Sequence, residues 1–145
     1  MTDKPGASAS SGFTELLNLS MPATAESITT ITSAISEILE CLEIPEQKRF
    51  EIDLAVQEAL ANAVVHGCEG DASKIIRCRL NGDDTGHIVI SVTDPGPGFK
   101  PEAVPDPKRA EGLYGDHGRG VYLIRQLMDE VQFERGGSEI KMWKY

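Results

Sequence analysis

Residues 46–66 read as one helix, preceded by Ile44-Pro45, where proline disfavours the α region for the residue before it, and closed by Gly67 at a C-cap position. Its apolar residues Phe50, Leu54, Leu60, Ala61, Val64 and Val65 spread widely around the axis, so one covered face would leave several of them in water. Glu51, Glu58, Asn62 and His66 instead share a sector of about 80° at the helical 100° per residue. Any fold for this chain must cover the helix on most sides and leave one polar strip open. A solvated stripe is the plain alternative. Asn62 weighs against it, because asparagine competes for backbone hydrogen bonds inside a helix. A polar strip on a largely covered helix indicates a cavity.

The covering elements lie on both sides in sequence. Phe13, Leu16, Leu17 and Leu19 make a first strand ending before Met21-Pro22. In 24–42 the residues Ile28, Ile31, Ile35, Ile38, Leu39 and Leu42 recur at spacings of three and four, an amphipathic helix whose expected stop is Ile44-Pro45. Residues 74–80 and 87–93, rich in β-branched side chains, form a hairpin about Asn81-Gly82-Asp83-Asp84-Thr85-Gly86. A third helix fits 120–128, and strands at 131–135 and 139–143 flank Gly136-Gly137. Residues 1–12, small and polar, form a loose tail ahead of a single domain at 13–145. The expected fold is a two-layer α/β sandwich, with a mixed, mainly antiparallel sheet and helices on one face.

Charge and cysteine content narrow the function classes. The formal charge is −9, and residues 1–71 hold 12 acidic against 3 basic side chains while 72–145 hold 11 of each. Nucleic acid and anionic membranes, which need a basic surface, are poor partners for such a chain. Cys41, Cys68 and Cys78 are odd in number and lack C-x-x-C spacing, which favours neither a disulfide framework nor a zinc ribbon. His66, His87 and His117 show no zinc-site spacing. No signal core or membrane-length apolar run is visible, and the expected location is the cytoplasm.

Three short motifs carry the chemistry. Asp94-Pro95-Gly96-Pro97-Gly98 ends a strand with an acid that can accept a hydrogen bond from an exocyclic amine, followed by glycines that permit close backbone approach; an ordinary Asp-Pro-Gly turn reads the same five residues. Some twenty residues without periodicity follow, the mark of a functional loop or lid. Gly115-Asp116-His117-Gly118-Arg119-Gly120 then precedes a helix, where free N–H groups and the helix dipole favour phosphate; a glycine-capped flexible loop is the alternative. Residues 100–125 carry five basic and four acidic side chains, so backbone amides and a metal ion would have to hold a polyphosphate. Neither a Walker loop nor G-x-G-x-x-G is present.

In this order, Glu58-x-x-x-Asn62, Asp94-x-Gly96-x-Gly98 and Gly118-x-Gly120 resemble the GHKL superfamily of ATP-binding proteins, with the Bergerat fold, over residues 46–130. Glu58-Ala-Leu-Ala-Asn62-Ala-Val-Val-His66-Gly67 and His117-Gly118-Arg119-Gly120-Val121-Tyr122-Leu123-Ile124 look most like bacterial anti-sigma factor serine/threonine kinases of partner-switching systems. The resemblance implies ATP and Mg²⁺ as cofactors, with Glu58 as general base toward a serine hydroxyl and Asn62 helping to hold the metal. Asp94 would recognise the adenine amine, with Gly96 and Gly98 beside the base and His117, Gly118, Arg119 and Gly120 around the phosphates. Val121 stands where leucine is common in that family, and Cys68 where an aromatic is often seen. His66 remains open between a packing role and a nucleotide contact. The implied partners are a STAS-type antagonist, phosphorylated on serine, and a sigma factor or related regulator, with a homodimer compatible. A non-catalytic ATP-gated binding module and a detached histidine kinase catalytic domain are the competing readings. The acidic first half is expected to attract a basic patch on the partner.

Overall fold

The computed structural model describes residues 12–97 and 115–145, with the backbone alone for 115–119. Gly12 apart, the expected tail lies outside the described residues, as does most of the long loop after Asp94. Strands β1 (Thr14–Pro22), β2 (Ile75–Gly82), β3 (Ile88–Thr93), β4 (Glu130–Glu134) and β5 (Glu139–Lys144) form one sheet in the order β1-β2-β3-β5-β4. All four pairings are antiparallel, as hairpins and helical crossovers between opposed strands allow. Helices α1 (Ala25–Cys41), α2 (Glu46–Asn62) and α3 (Gly115–Leu127) complete the two-layer α/β architecture.

Helix α1 starts at Thr24, whose Oγ1 accepts the Ser27 N–H at 3.1 Å, and buries Ile31, Ile35 and Leu39 along one stripe. Pro45 does not itself stop it. The chain leaves the helix at Leu42 through a Schellman turn, in which Ile44 N–H donates to Leu39 O at 3.1 Å and Glu43 N–H to Glu40 O at 2.9 Å. Glu43 takes the left-handed position (φ 59°) that glycine usually fills. On the sheet, Ile76, Cys78 and Leu80 of β2, Ile88, Ile90 and Val92 of β3, and Ile140 and Met142 of β5 alternate onto the inner face. They meet Ile52, Val56 and Leu60 of α2, which also packs against α1 and α3, covering that helix as its sequence requires.

Two expected boundaries need correction. Helix α2 does not continue as α-helix to His66. It changes at Ala63 into a π-helical turn, Ala63–Gly67, in which Cys68 N–H donates to Ala63 O at 2.8 Å. Gly67 is not a left-handed C-cap either; the positive-φ residues that follow it are Glu69 (54°) and Gly70 (72°). Helix α3 begins at Gly115 rather than Gly120, because the glycine-rich stretch is itself helical. Gly120 therefore sits beyond the first turn, where an α-helix has free amides.

Candidate functional site

The π turn, the end of β3 and the start of β5 meet at one end of the sheet. Thr93 pairs with Glu139, so the next residue, Asp94, lies beside Ser138 and donates its N–H to Ser138 O at 3.0 Å. This pairing sets the direction from which the Asp94 carboxylate approaches α2. Its Oδ1 accepts the Gly96 N–H at 2.7 Å, and among the described residues the carboxylate has no other hydrogen bond. Burial pushes its pKa up, and the Gly96 N–H partly offsets this by stabilising the charged form.

Glycines make this approach possible. A Cβ on Gly67 would fall on the Asp94 carboxyl carbon and both oxygens, and a Cβ on Gly96 would strike the Gly67 carbonyl oxygen. The π turn, Asp94 and Gly96 thus form a stack with no room for a methyl group. Cys68 is buried beside it, and its thiol is pushed up by desolvation and then by the Asp94 charge. Its place after Gly67 is a packing position rather than a reactive one.

Against this stack lies a cavity of about 270 Å³ whose lining includes Asn62, His66, Gly67, Asp94, Val121 and Phe133. Its volume is near the lower end of ligand pockets, about 300 Å³, and suits one flat ring system rather than a whole nucleotide. Val121 is buried in its wall, so replacing leucine by valine there leaves an apolar surface. His66 reaches the lining although the residue is exposed.

Glu58 and Asn62 do come together. A Cβ on Gly120 would lie 3.1 Å from Glu58 Oε1 and 3.1 Å from Asn62 Nδ2, so both side chains rest against the α3 backbone there. Glu51, in the same stripe, pairs instead with Lys144 at 2.9 Å and is no part of the site. Gly98 lies outside the described residues; His117, Gly118 and Arg119 fall in α3, with only their backbone described. Among the described residues no group of three or more His, Cys, Asp or Glu side chains could hold a metal. A Mg²⁺ here would take one or two protein oxygens and otherwise phosphate and water, its usual habit. Asn62 beside Glu58 fits that demand.

Sequence reasoning missed the β4–β5 side of the cavity, including Phe133, Gly137, Ser138 and Ile140. Their only local signal is the Gly136-Gly137 turn, which reads as an ordinary hairpin. No helix among the described residues is long and apolar enough to cross a membrane.

Comparison with known proteins bears on the family and the fold. The family model described as histidine kinase-like ATPase domain matches residues 21–144. The serine-protein kinase RsbW of Staphylococcus epidermidis is 32% identical over 143 residues, covering 90% of this chain and 87% of that protein. Its counterpart in Bacillus subtilis is 25% identical over 138 residues, covering 90% and 86%. Among solved structures, the RsbU and RsbW domains of a Mycobacterium tuberculosis protein give a TM-score of 0.61 at 18% identity, over 88% of this chain and 30% of that longer one. The histidine kinase domain of the Erythrobacter litoralis EL346 blue-light activated histidine kinase gives 0.52 at 22% identity, over 85% and 60%. These two likenesses concern the fold.

Proposed function

The chain belongs to the histidine kinase-like ATPase domain family, and from that membership we propose that it is an ATP-dependent protein serine/threonine kinase acting as an anti-sigma regulator. The observation that carries the reading is the half-buried Asp94 carboxylate, held by Gly96 and aimed at a ring-sized cavity whose rim carries Asn62. Asp94 Oδ2 is left to accept a hydrogen bond from the exocyclic amine of adenine, and the apolar wall takes the ring faces.

With the base in the cavity, the phosphates extend toward the start of α3. The free amides of its first turn donate to them, and the helix dipole adds to this. Bound Mg²⁺, held through Asn62, would neutralise phosphate charge. Glu58, one helical turn from Asn62, accepts the proton of a serine hydroxyl as its oxygen bonds to the γ-phosphorus and the bond to the β–γ bridging oxygen breaks, releasing ADP. The substrate is a STAS-type antagonist protein, and the second partner is a sigma factor or related regulator. The work takes place in the cytoplasm, where the buried thiols of Cys68 and Cys78 stay reduced.

The test is incubation with Mg-ATP and the antagonist, followed by phosphosite mapping. Phosphoserine should form with the native chain and fall by at least about 10²-fold in Glu58→Gln, the usual scale for loss of a general base. ATP affinity should stay within a few-fold. Transfer undiminished in Glu58→Gln removes Glu58 from the role, and tight ATP binding without transfer to any partner returns the chain to a nucleotide-gated binding module.

A further inference from the structure

Far from the cavity, the corner where α1 passes into α2 presents large apolar side chains to solvent. Leu42 is 46% and Phe50 59% exposed, whereas Ile44 between them is buried and fixes the connection. Phe50 lies twelve residues before Asn62, about 18 Å along the α2 axis at 1.5 Å per residue. The corner and the cavity are thus separate surfaces on one helix.

The acidic side chains of this stretch are unpaired. Glu37, Glu40, Glu43 and Glu46 are all exposed, and none has an ion-pair partner among the described residues. The nearest cations in sequence are committed to backbone oxygens. Lys48 Nζ donates to Gly86 O at 2.6 Å and to Tyr145 O at 2.9 Å, and Arg49 Nε donates to Ile44 O at 3.0 Å. Exposed apolar side chains flanked in sequence by unpaired carboxylates repel anionic lipid and nucleic acid. They also oppose a second copy of the chain, since a two-fold contact would set the same acids face to face.

We propose that this corner docks an amphipathic helix of the protein partner, one whose apolar stripe is flanked by Lys or Arg. Leu42 and Phe50 supply the apolar contact, as in other helix-on-surface recognition, and the glutamates steer and register the helix. The proposal rests on the kinase reading only in placing such a helix on the regulated partner; the binding itself needs neither ATP nor transfer. Because the corner lies a helix length from Asn62, a partner held there leaves the nucleotide site open.

The probe is a synthetic helical peptide with leucines at i, i+3, i+4 and i+7 and lysines on both flanks. A counterpart replaces every lysine by glutamate. Binding to the full chain is read by fluorescence anisotropy at low and physiological salt, with ATP affinity measured on the same samples. The lysine peptide should bind and weaken with salt, and the glutamate peptide should not bind. Phe50→Ser should weaken binding about tenfold, the scale of one lost apolar anchor. Glu40→Lys with Glu43→Lys should weaken it at least as much and remove the salt dependence. ATP affinity should be unchanged in both, which also shows that they fold. Equal binding of both peptides, unchanged binding in either variant, no binding of the lysine peptide, or self-association abolished by Phe50→Ser would each overturn the proposal. Failure of phosphoryl transfer with peptide binding intact would count against the kinase reading alone.

Discussion

Gly67→Ala tests the stack at the centre of the site. The added methyl falls on the Asp94 carboxyl group, far inside the ~3.5 Å at which carbon atoms rest against one another. The π turn cannot simply retreat, because the Gly67 carbonyl oxygen packs where a Cβ on Gly96 would stand. The cheaper escape is rotation of Asp94, which forfeits the 2.7 Å hydrogen bond from Gly96 and leaves a half-buried carboxylate poorly solvated. Losing that bond costs about 1–3 kcal/mol, with a further ~1 kcal/mol from residual crowding. The melting midpoint should drop by about 5–10 °C for a domain of this size. ATP affinity should fall by at least about 100-fold, since Asp94 no longer faces the cavity. The check is a double-mutant cycle by denaturant unfolding, with Asp94→Ala as the second arm. Removing the carboxylate leaves the new methyl little to strike, so the Gly67→Ala penalty should shrink to under about 1 kcal/mol, while ATP binding stays lost in both backgrounds. A penalty undiminished in the Asp94→Ala background, or no penalty at all, would refute the close-packing argument.

The same physics supports other expectations. Glu43→Gly should stabilise the chain by about 0.5–1 kcal/mol in urea unfolding, because glycine takes φ 59° without the Cβ clash, less its own entropy cost. Asp94 has a raised pKa, so the folded state binds its proton more readily than the unfolded state and stability falls as pH rises from the ordinary carboxylate range through the raised value. Asp94→Asn removes that loss, and its stability relative to the native chain should be greater at pH 7 than at pH 3, while ATP binding is lost at both. Ser36→Ala deletes the 2.9 Å hydrogen bond to Asp53 Oδ2, and Asp53 Oδ1 is already buried without a hydrogen-bond partner among the described residues. The cost should be about 1–3 kcal/mol at pH 7 and smaller in acid, where the buried carboxyl is neutral.

Legibility in the sequence followed the range of the interaction. The stripe Ile31, Ile35 and Leu39 and the hairpin 74–93 each act within a few residues, and α1, β2 and β3 appear where these signals place them. Glu58 and Asn62 were legible because four residues make one helical turn. The Schellman stop at Glu43 was hidden by the nearby Pro45, a louder signal for a break two residues later. The helical state of 115–120 was hidden by glycine content, since propensity is a weak prior once α3 packs on α2.

By itself the sequence determined that α2 would be covered on most sides and that part of its polar strip, Asn62 and His66, would open on a cavity. Those facts follow from periodicity and from side-chain chemistry, which are local. Only the tertiary structure decided why Gly67 must lack a side chain. Its φ is not left-handed, and nothing in 46–66 forbids an alanine there; the constraint comes from Asp94, carried to the π turn by the pairing of Thr93 with Glu139. Likewise Phe133 and Ser138 reach the cavity because β5 inserts between β3 and β4. A contact between elements distant in the chain depends on sheet order and register, and no local pattern encodes it.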